Sequence, residues 1–409
     1  MQTTAIRGIV TEAYLCEEEW AKRLENPLLK NIKMEQYFVE TDKKFGTKRL
    51  VSGVDIDIFA NNIQDESKLD ELEHLLYRFR RTKRATEIMD STNYAVIRAF
   101  LKFKQYESLM RILKDRENYG IFPDLFSYNI LISTFLKEKL YEEAASTAIL
   151  MMLQEDFSNK ISCVLGVYSC QVFLNNCSMD ELSVNAEENL EDDLSEAEKN
   201  LGVRRVPFLK NPWFDDHFDI TNPKHLIGKT FYLLGRNIDN VVGRSYQIIG
   251  LAMYEKWEKA ATLLNTLIQS KNATILNASV EKTRELIQEI PEDGEKTKEK
   301  LFNQFNDLFD KMKLEAKIEE GDLMAELELH LNAVTANEKE DIEGMKQLFS
   351  KWEKERKEAL DQQNADIDRD RRLKIIQEKK EQLYWKEKFL FFFENEDKIL
   401  EELKKPKRT

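Results

Sequence analysis

Glycine and proline are scarce in this chain of 409 residues, 13 and 7 respectively. That is too few to punctuate the many short strands of an all-β fold, and the apolar–polar alternation of half-buried strands is equally rare. Cysteine is nearly absent: four residues in so long a chain build no disulfide scaffold and point to a reducing compartment. No apolar run reaches the roughly twenty residues that a membrane-spanning helix needs, so a soluble protein is expected. Positive charge is lacking too. A formal net charge of −13 argues against coating nucleic acid over the whole surface, because phosphate neutralisation requires clustered Lys and Arg. Any contact with RNA must be local. Hydrophobic residues, in contrast, make up 42%, enough to build a core, and the charged fraction of 33% exceeds the globular average, which points to long solvated helices. The fold class is therefore all-α, and the length allows two or three folded units.

The chain repeats itself with a fixed period. Phe100, Leu101, Lys102, Lys104, Tyr106 and Glu107 recur as Phe135, Leu136, Lys137, Lys139, Tyr141 and Glu142, all displaced by 35 residues. A period of this length is the mark of stacked helical pairs. In the second copy Tyr128, Leu131, Ile132, Phe135 and Leu136 give one helix an apolar face, and Lys137-Glu138-Lys139 makes a polar turn. Tyr141, Ala144, Ala145, Ala148 and Met152 then face inward on a second helix. Pro123-Asp124 supplies the turn into the pair, since Pro presets φ and Asp accepts the unpaired N–H groups of a helix start. Such a hairpin cannot bury its apolar face alone, so flanking helices must cap it.

Those flanks are legible. Leu69, Leu72, Leu75, Leu76 and Phe79 follow helical spacing upstream, with Ser67 as the expected N-cap. Downstream, an apolar helix runs from Val164 to Phe173, and two more lie between His225 and Leu234 and between Tyr246 and Ile268. Trp257-Glu258-Lys259-Ala260 echoes Tyr141-Glu142-Glu143-Ala144 as a degenerate later repeat. An acidic stretch from Asp180 to Lys199 interrupts the array, and Pro207, Pro212 and Pro223 mark the irregular segment after it. From about Ala325 to Leu403 the pattern becomes one long charged helix or coiled coil. Ile342, Met345, Phe349 and Trp352, and later Leu373, Ile376, Leu383 and Leu390, mark its apolar stripe, suited to docking at its ends. The tail Lys404-Lys405-Pro406-Lys407-Arg408 is basic.

Catalytic chemistry finds little support. Gly228-Lys229-Thr230 ends like a phosphate-binding loop, but position 223, where that loop needs glycine, is proline, and the triplet reads as a helix surface. Cys163, Cys170 and Cys177 are seven apart, wider than zinc pairs, and read as small residues filling a helix interface. His74, His217, His225 and His330 are scattered without a metal or catalytic spacing. No catalytic residue, cofactor, metal or small-molecule substrate is expected. The positive feature is Arg78, Arg80, Arg81, Lys83 and Arg84, five cations in seven residues at a helix end. Such a cluster is a candidate phosphate-binding patch; cations there would equally complement a helix C-terminus.

Tyr119-Gly120-Ile121-Phe122-Pro123-Asp124, Phe126-Ser127-Tyr128-Asn129-Ile130-Leu131-Ile132, Phe135-Leu136-Lys137 and Tyr141-Glu142-Glu143-Ala144 together resemble a pentatricopeptide repeat. The resemblance implies a right-handed helical solenoid in which Asn129 and the residue ending its repeat face an RNA base. Tyr94 stands at the corresponding position of the preceding repeat with Asp124 at its end, and Asn159 ends the second repeat. Tyr94 is a departure from the small polar reader usual there. Over its whole length the chain resembles the animal mitochondrial small-subunit ribosomal protein family numbered twenty-seven. Ala13-Tyr14, Trp20, Leu76-Tyr77-Arg78-Phe79-Arg80, the block from Tyr119 to Phe157 and the charged helix around Trp352 carry that likeness.

This resemblance implies a structural ribosomal role in the mitochondrial matrix, contacting small-subunit ribosomal RNA and neighbouring ribosomal proteins. The RNA-binding residues expected are Arg78, Arg80, Arg81, Lys83, Arg84 and Asn129, the last contributing little base selectivity. The competing readings are a free mitochondrial RNA-processing or RNA-stabilising factor and a purely protein-binding helical scaffold. An import presequence should be basic, yet Arg7 is followed by Glu12, Glu17, Glu18 and Glu19, so the route of import is not legible. The expected organisation is an N-terminal helical extension over 1–60, pentatricopeptide repeats over 61–160 and divergent helical repeats with the acidic insertion over 161–324. The charged helix or coiled coil and basic tail complete it over 325–409.

Overall fold

The computed structural model describes residues 10–46, 51–179, 182, 217–218, 220–270, 273–290, 295–336 and 338–404. The acidic stretch after Met179, apart from Leu182, lies outside the described residues, as do Pro207, Pro212 and the basic tail beyond Lys404. The chain is all-α. Its helices in order are α1 (Glu17–Lys22), α2 (Pro27–Lys30), α3 (Met34–Phe45), α4 (Gly53–Asn61), α5 (Leu69–Arg80), α6 (Asp90–Lys102), α7 (Tyr106–Lys114), α8 (Arg116–Tyr119), α9 (Leu125–Lys137), α10 (Tyr141–Gln154) and α11 (Lys160–Asn176). They continue with α12 (Pro223–Arg236), α13 (Val241–Met253), α14 (Trp257–Gln269), α15 (Asn277–Gln288), α16 (Glu295–Leu314), α17 (Leu323–Thr335), α18 (Glu338–Glu394) and α19 (Glu396–Lys404). The chain divides into two units, Met1–Ser350 and Lys351–Thr409.

In the first unit three helix pairs share one turn. Lys104, Lys139 and Glu255 take left-handed backbone, with φ of 56°, 63° and 58°. The next N–H in each case closes back on a carbonyl five residues earlier: Gln105 on Phe100 at 3.0 Å, Leu140 on Phe135 at 2.8 Å and Lys256 on Leu251 at 2.9 Å. This closure satisfies carbonyls left open at a helix end. Left-handed backbone costs a non-glycine residue roughly 1–2 kcal/mol. It also turns the chain so that Tyr106, Tyr141 and Trp257 can open the second helix of each pair. The span read as one apolar helix from Tyr246 to Ile268 is therefore the pair α13–α14, broken at Glu255.

Asparagine and aspartate start the first helices. Asp124 accepts the Ser127 N–H at 2.9 Å, Asn159 that of Ser162 at 3.0 Å and Asn240 that of Gly243 at 2.8 Å. Ser67 is not the cap expected of it: its own N–H and hydroxyl donate to Asp65, and a short 3-10 turn, Glu66–Lys68, leads into α5. Phe100 and Phe135 are fully buried at equivalent places, and the Tyr106 ring meets Phe135 edge-on at 5.7 Å, joining one pair to the next. Ala144, Ala145 and Ala148 are completely buried on α10, where their small side chains admit close neighbours.

Helices α12 and α13 approach closely through glycine. A Cβ placed on Gly250 would lie 2.5 Å from the Gly228 carbonyl oxygen, and one on Gly228 would lie 2.7 Å from that of Gly250. Beyond this pair, Leu264, Leu267, Ile275, Val280, Ile287, Phe305, Phe309 and Met312 belong to a further apolar cluster. Two short strands, Ile275–Leu276 and Ile318–Glu319, pair in parallel in that region. Lys317, itself buried, donates its ammonium to the carbonyls of Leu267 and Ile268 at the end of α14, where a cation meets the negative pole of the helix.

In the second unit α18 continues from Lys351 to Glu394, about 65 Å of helix at 1.5 Å per residue. Leu373, Ile376, Leu383, Tyr384, Trp385, Phe389 and Leu390 are exposed along it. Lys388 places its ammonium 5.1 Å from the Trp385 ring centre.

Candidate nucleic-acid interface

The five cations lie at the C-terminal end of α5 and in the turn after it, and they are not equivalent. Arg78 pairs with the Asp42 carboxylate and sets its guanidinium over the Phe45 ring at 4.7 Å. Arg84 pairs with Glu87 at 3.4 Å. Arg80 donates through Nε to the Glu117 carbonyl at 3.1 Å, against Gly120. Arg81 stacks on the Tyr77 ring at 3.3 Å, donates to the Tyr77 carbonyl at 3.2 Å, and reaches Asn118 Oδ1 at 2.9 Å. Lys83 is exposed. Among the described residues Arg80, Arg81 and Lys83 thus have no carboxylate partner. The neutral groups that hold Arg80 and Arg81 orient their guanidinium planes without cancelling the charge. A phosphate oxygen meeting this corner would find donors already positioned.

Asn129 lies elsewhere, fully buried on α9. It belongs to a face on which Asn129, Ser133 and Lys137 follow at four-residue steps, and Tyr94, Arg98 and Lys102 occupy the equivalent places of α6, 35 residues earlier. The chain's own N-terminal segment covers the near end of that face. The Tyr14 ring stacks on Phe126 with centroids 4.3 Å apart and planes 13° from parallel. Its hydroxyl accepts the Asn129 amide at 2.8 Å and donates to Asp341 at 3.1 Å. Asn159, the cap of α11, donates to the same Asp341 oxygen at 2.8 Å. Trp20 meets Tyr94 edge-on at 4.8 Å and Phe349 at 5.3 Å. Burial first, with Asp341 adding to it, holds the Tyr14 phenol well above its ordinary pKa, so it stays a neutral hydroxyl that can donate and accept at once.

Farther along the same face a cleft of about 600 Å³ opens, lined among others by Leu15, Trp20, Arg98, Lys102, Ser133 and Lys137. Arg98, only 7% exposed, donates to the Leu15 carbonyl at 2.9 Å and pairs with Glu17 at 2.5 Å. Neither Lys102 nor Lys137 has a carboxylate partner among the described residues.

The remaining motifs are structural. Gly228-Lys229-Thr230 sits inside α12 with all three residues buried, so the triplet is a helix crossing rather than the surface expected of it. Cys163 and Cys170 are buried in α11, where burial pushes each thiol up to about 12. No group of three or more His, Cys, Asp or Glu residues among those described could hold a metal ion, and no described helix is long and apolar enough to cross a membrane.

The sequence had singled out Tyr14 and Trp20 only as points of resemblance. Their partners lie far off in the chain, 327 positions in the case of Tyr14 and Asp341, beyond the reach of any local pattern. Lys102 and Lys137 were already visible as members of the repeat. Following the 35-residue displacement from Tyr94 to Asn129 along each helix by four-residue steps arrives at both. A family model, mitochondrial 28S ribosomal protein S27, matches residues 1–382, and this all-α chain with its local corner of uncompensated cations belongs to that family.

Proposed function

We propose that the chain is a structural, non-enzymatic component of the mitochondrial small ribosomal subunit, in the matrix, where it supports translation by holding ribosomal RNA and neighbouring ribosomal proteins. Family membership is the observation that carries this reading. In it, residues 61–160 are a pentatricopeptide-type solenoid, 161–324 its divergent continuation, and 325–409 a charged docking extension after the N-terminal segment 1–60. Arg80, Arg81 and Lys83 contact RNA phosphate and shape, with Arg78 and Arg84 adding charge from their ion pairs; the burial of Asn129 is in keeping with a small part in base selection. The exposed row Leu383, Tyr384, Trp385, Phe389 and Leu390 supports docking on neighbouring proteins. Sedimentation of a mitochondrial lysate through a density gradient tests the assignment. The chain should travel with the small subunit; recovery only near the top of the gradient would favour a free RNA-processing factor instead.

A further inference from the structure

Among the described residues of the arginine corner, Arg81 alone has a guanidinium that is stacked on a ring, exposed and without a carboxylate partner. Its Cζ stands 3.3 Å from the centre of the Tyr77 ring. So short a distance leaves room only for plane on plane, since a tilted guanidinium would drive a nitrogen into the ring carbons. Two hydrogen bonds fix the rotation of that plane: Nη1 donates to the Tyr77 carbonyl at 3.2 Å and Nη2 to Asn118 Oδ1 at 2.9 Å. The Asn118 amide is itself oriented, because its Nδ2 donates to Asp115 at 2.8 Å. Behind the half-buried Tyr77 ring lies the buried Tyr119, 6.0 Å away, whose hydroxyl donates to Glu73 at 2.6 Å. The series Tyr119, Tyr77, Arg81 thus runs from the core to solvent and ends on a flat cation. One face of that cation lies on Tyr77 and two of its edges are bonded to protein, so the surface it exposes is the opposite face.

We propose that this outer face is a stacking platform for an unpaired base of the bound RNA, a proposal that rests on the reading of the corner as an RNA contact and narrows the RNA to one presenting a free base there.

Guanidinium planes are among the surfaces on which unstacked RNA bases settle, and every base offers the π face that a cation attracts. With Tyr77 behind it, the guanidinium becomes the middle layer of a three-layer sandwich, and its dehydration between two π faces strengthens the contact. Such stacking tolerates any base, but not a paired one whose faces are taken by its neighbours in the duplex. Arg80 and Lys83 flank Arg81 in the chain and serve the phosphates on either side of the flipped nucleotide. A cation that merely complements the end of α5 needs charge near the last carbonyls, for which lysine would serve as well. That role calls for neither the flat seat on Tyr77 nor the clasp of Asn118.

The test is fluorescence anisotropy of the full-length protein with two labelled RNA hairpins, each carrying one single-nucleotide bulge. In one hairpin the bulged residue is abasic, which removes the ring and keeps every phosphate. The hairpin that retains the base should bind about fivefold tighter. Arg81→Lys keeps the charge and loses the plane, and should bring the two hairpins to equal affinity. Equal affinity of the unaltered chain for both hairpins, a comparison that needs no variant to fold, would overturn the proposal. A preference that Arg81→Lys leaves intact would overturn it too, and both results leave the phosphate contacts standing. Those contacts are read separately. Arg80→Ala with Lys83→Ala should lower the slope of log affinity against log salt for both hairpins. An unchanged slope, or no binding of either hairpin, would overturn the corner as an RNA contact and the stacking platform with it.

Discussion

Asp124 and Asn159 occupy the same place in successive helix pairs, and each closes the start of a helix with its side-chain oxygen. Asp124→Ala should cost about 1 kcal/mol by stranding the Ser127 N–H, while Asp124→Asn keeps the acceptor and should be close to neutral. Chemical denaturation of the two variants compares them directly; equal losses would show that the cap contributes nothing. Cys163 and Cys170 make a different kind of residue-scale statement. With burial pushing both thiols up to about 12, they remain neutral at physiological pH and lack the nucleophilic thiolate. Alkylation at about pH 8 followed by mass spectrometry should label them only after denaturation. Rapid labelling of Cys170 in the folded chain would contradict its placement inside α11.

At the scale of elements, the α12–α13 crossing depends on there being no side chain at Gly228 and Gly250. Gly250→Val would put its Cβ 2.5 Å from the Gly228 carbonyl oxygen, a clash with rigid backbone, and should cost at least about 2 kcal/mol. Gly344→Ala, on α18, is the control. Nothing lies within 4 Å of a Cβ there, so better helix propensity should stabilise by about 0.5–1 kcal/mol. Melting temperatures that moved alike in both variants would refute the crossing. The two helices α9 and α10 were legible from sequence because apolar spacing, turn and cap all agree on them. The α12–α13 crossing was not, since a glycine inside a helix does not announce which backbone will approach it. Ser67 was misread for a local reason: Asp65, two residues earlier, is the stronger acceptor and takes the capping role for the short turn before α5. The covering of Asn129 by Tyr14 was beyond reach because the stack and hydrogen bond join segments far apart in the chain.

Across the whole molecule the governing quantity is charge. A chain of net charge −13 is repelled by RNA except where cations are concentrated and left uncompensated, and Arg80, Arg81 and Lys83 meet both conditions within the first unit. Phosphate contacts release condensed counterions, so each one lost should lower the slope of log affinity against log salt by about 0.7–0.9. Contacts of this kind carry little sequence information, and their loss should weaken unrelated RNAs alike. The most direct measurement is the salt dependence of binding between the full-length protein and small-subunit ribosomal RNA, for the unaltered chain and for Arg81→Ala with Lys83→Ala. The substitutions should lower the slope by about 1 to 2 and weaken binding at every salt concentration. An unchanged slope with unchanged affinity would contradict these phosphate contacts.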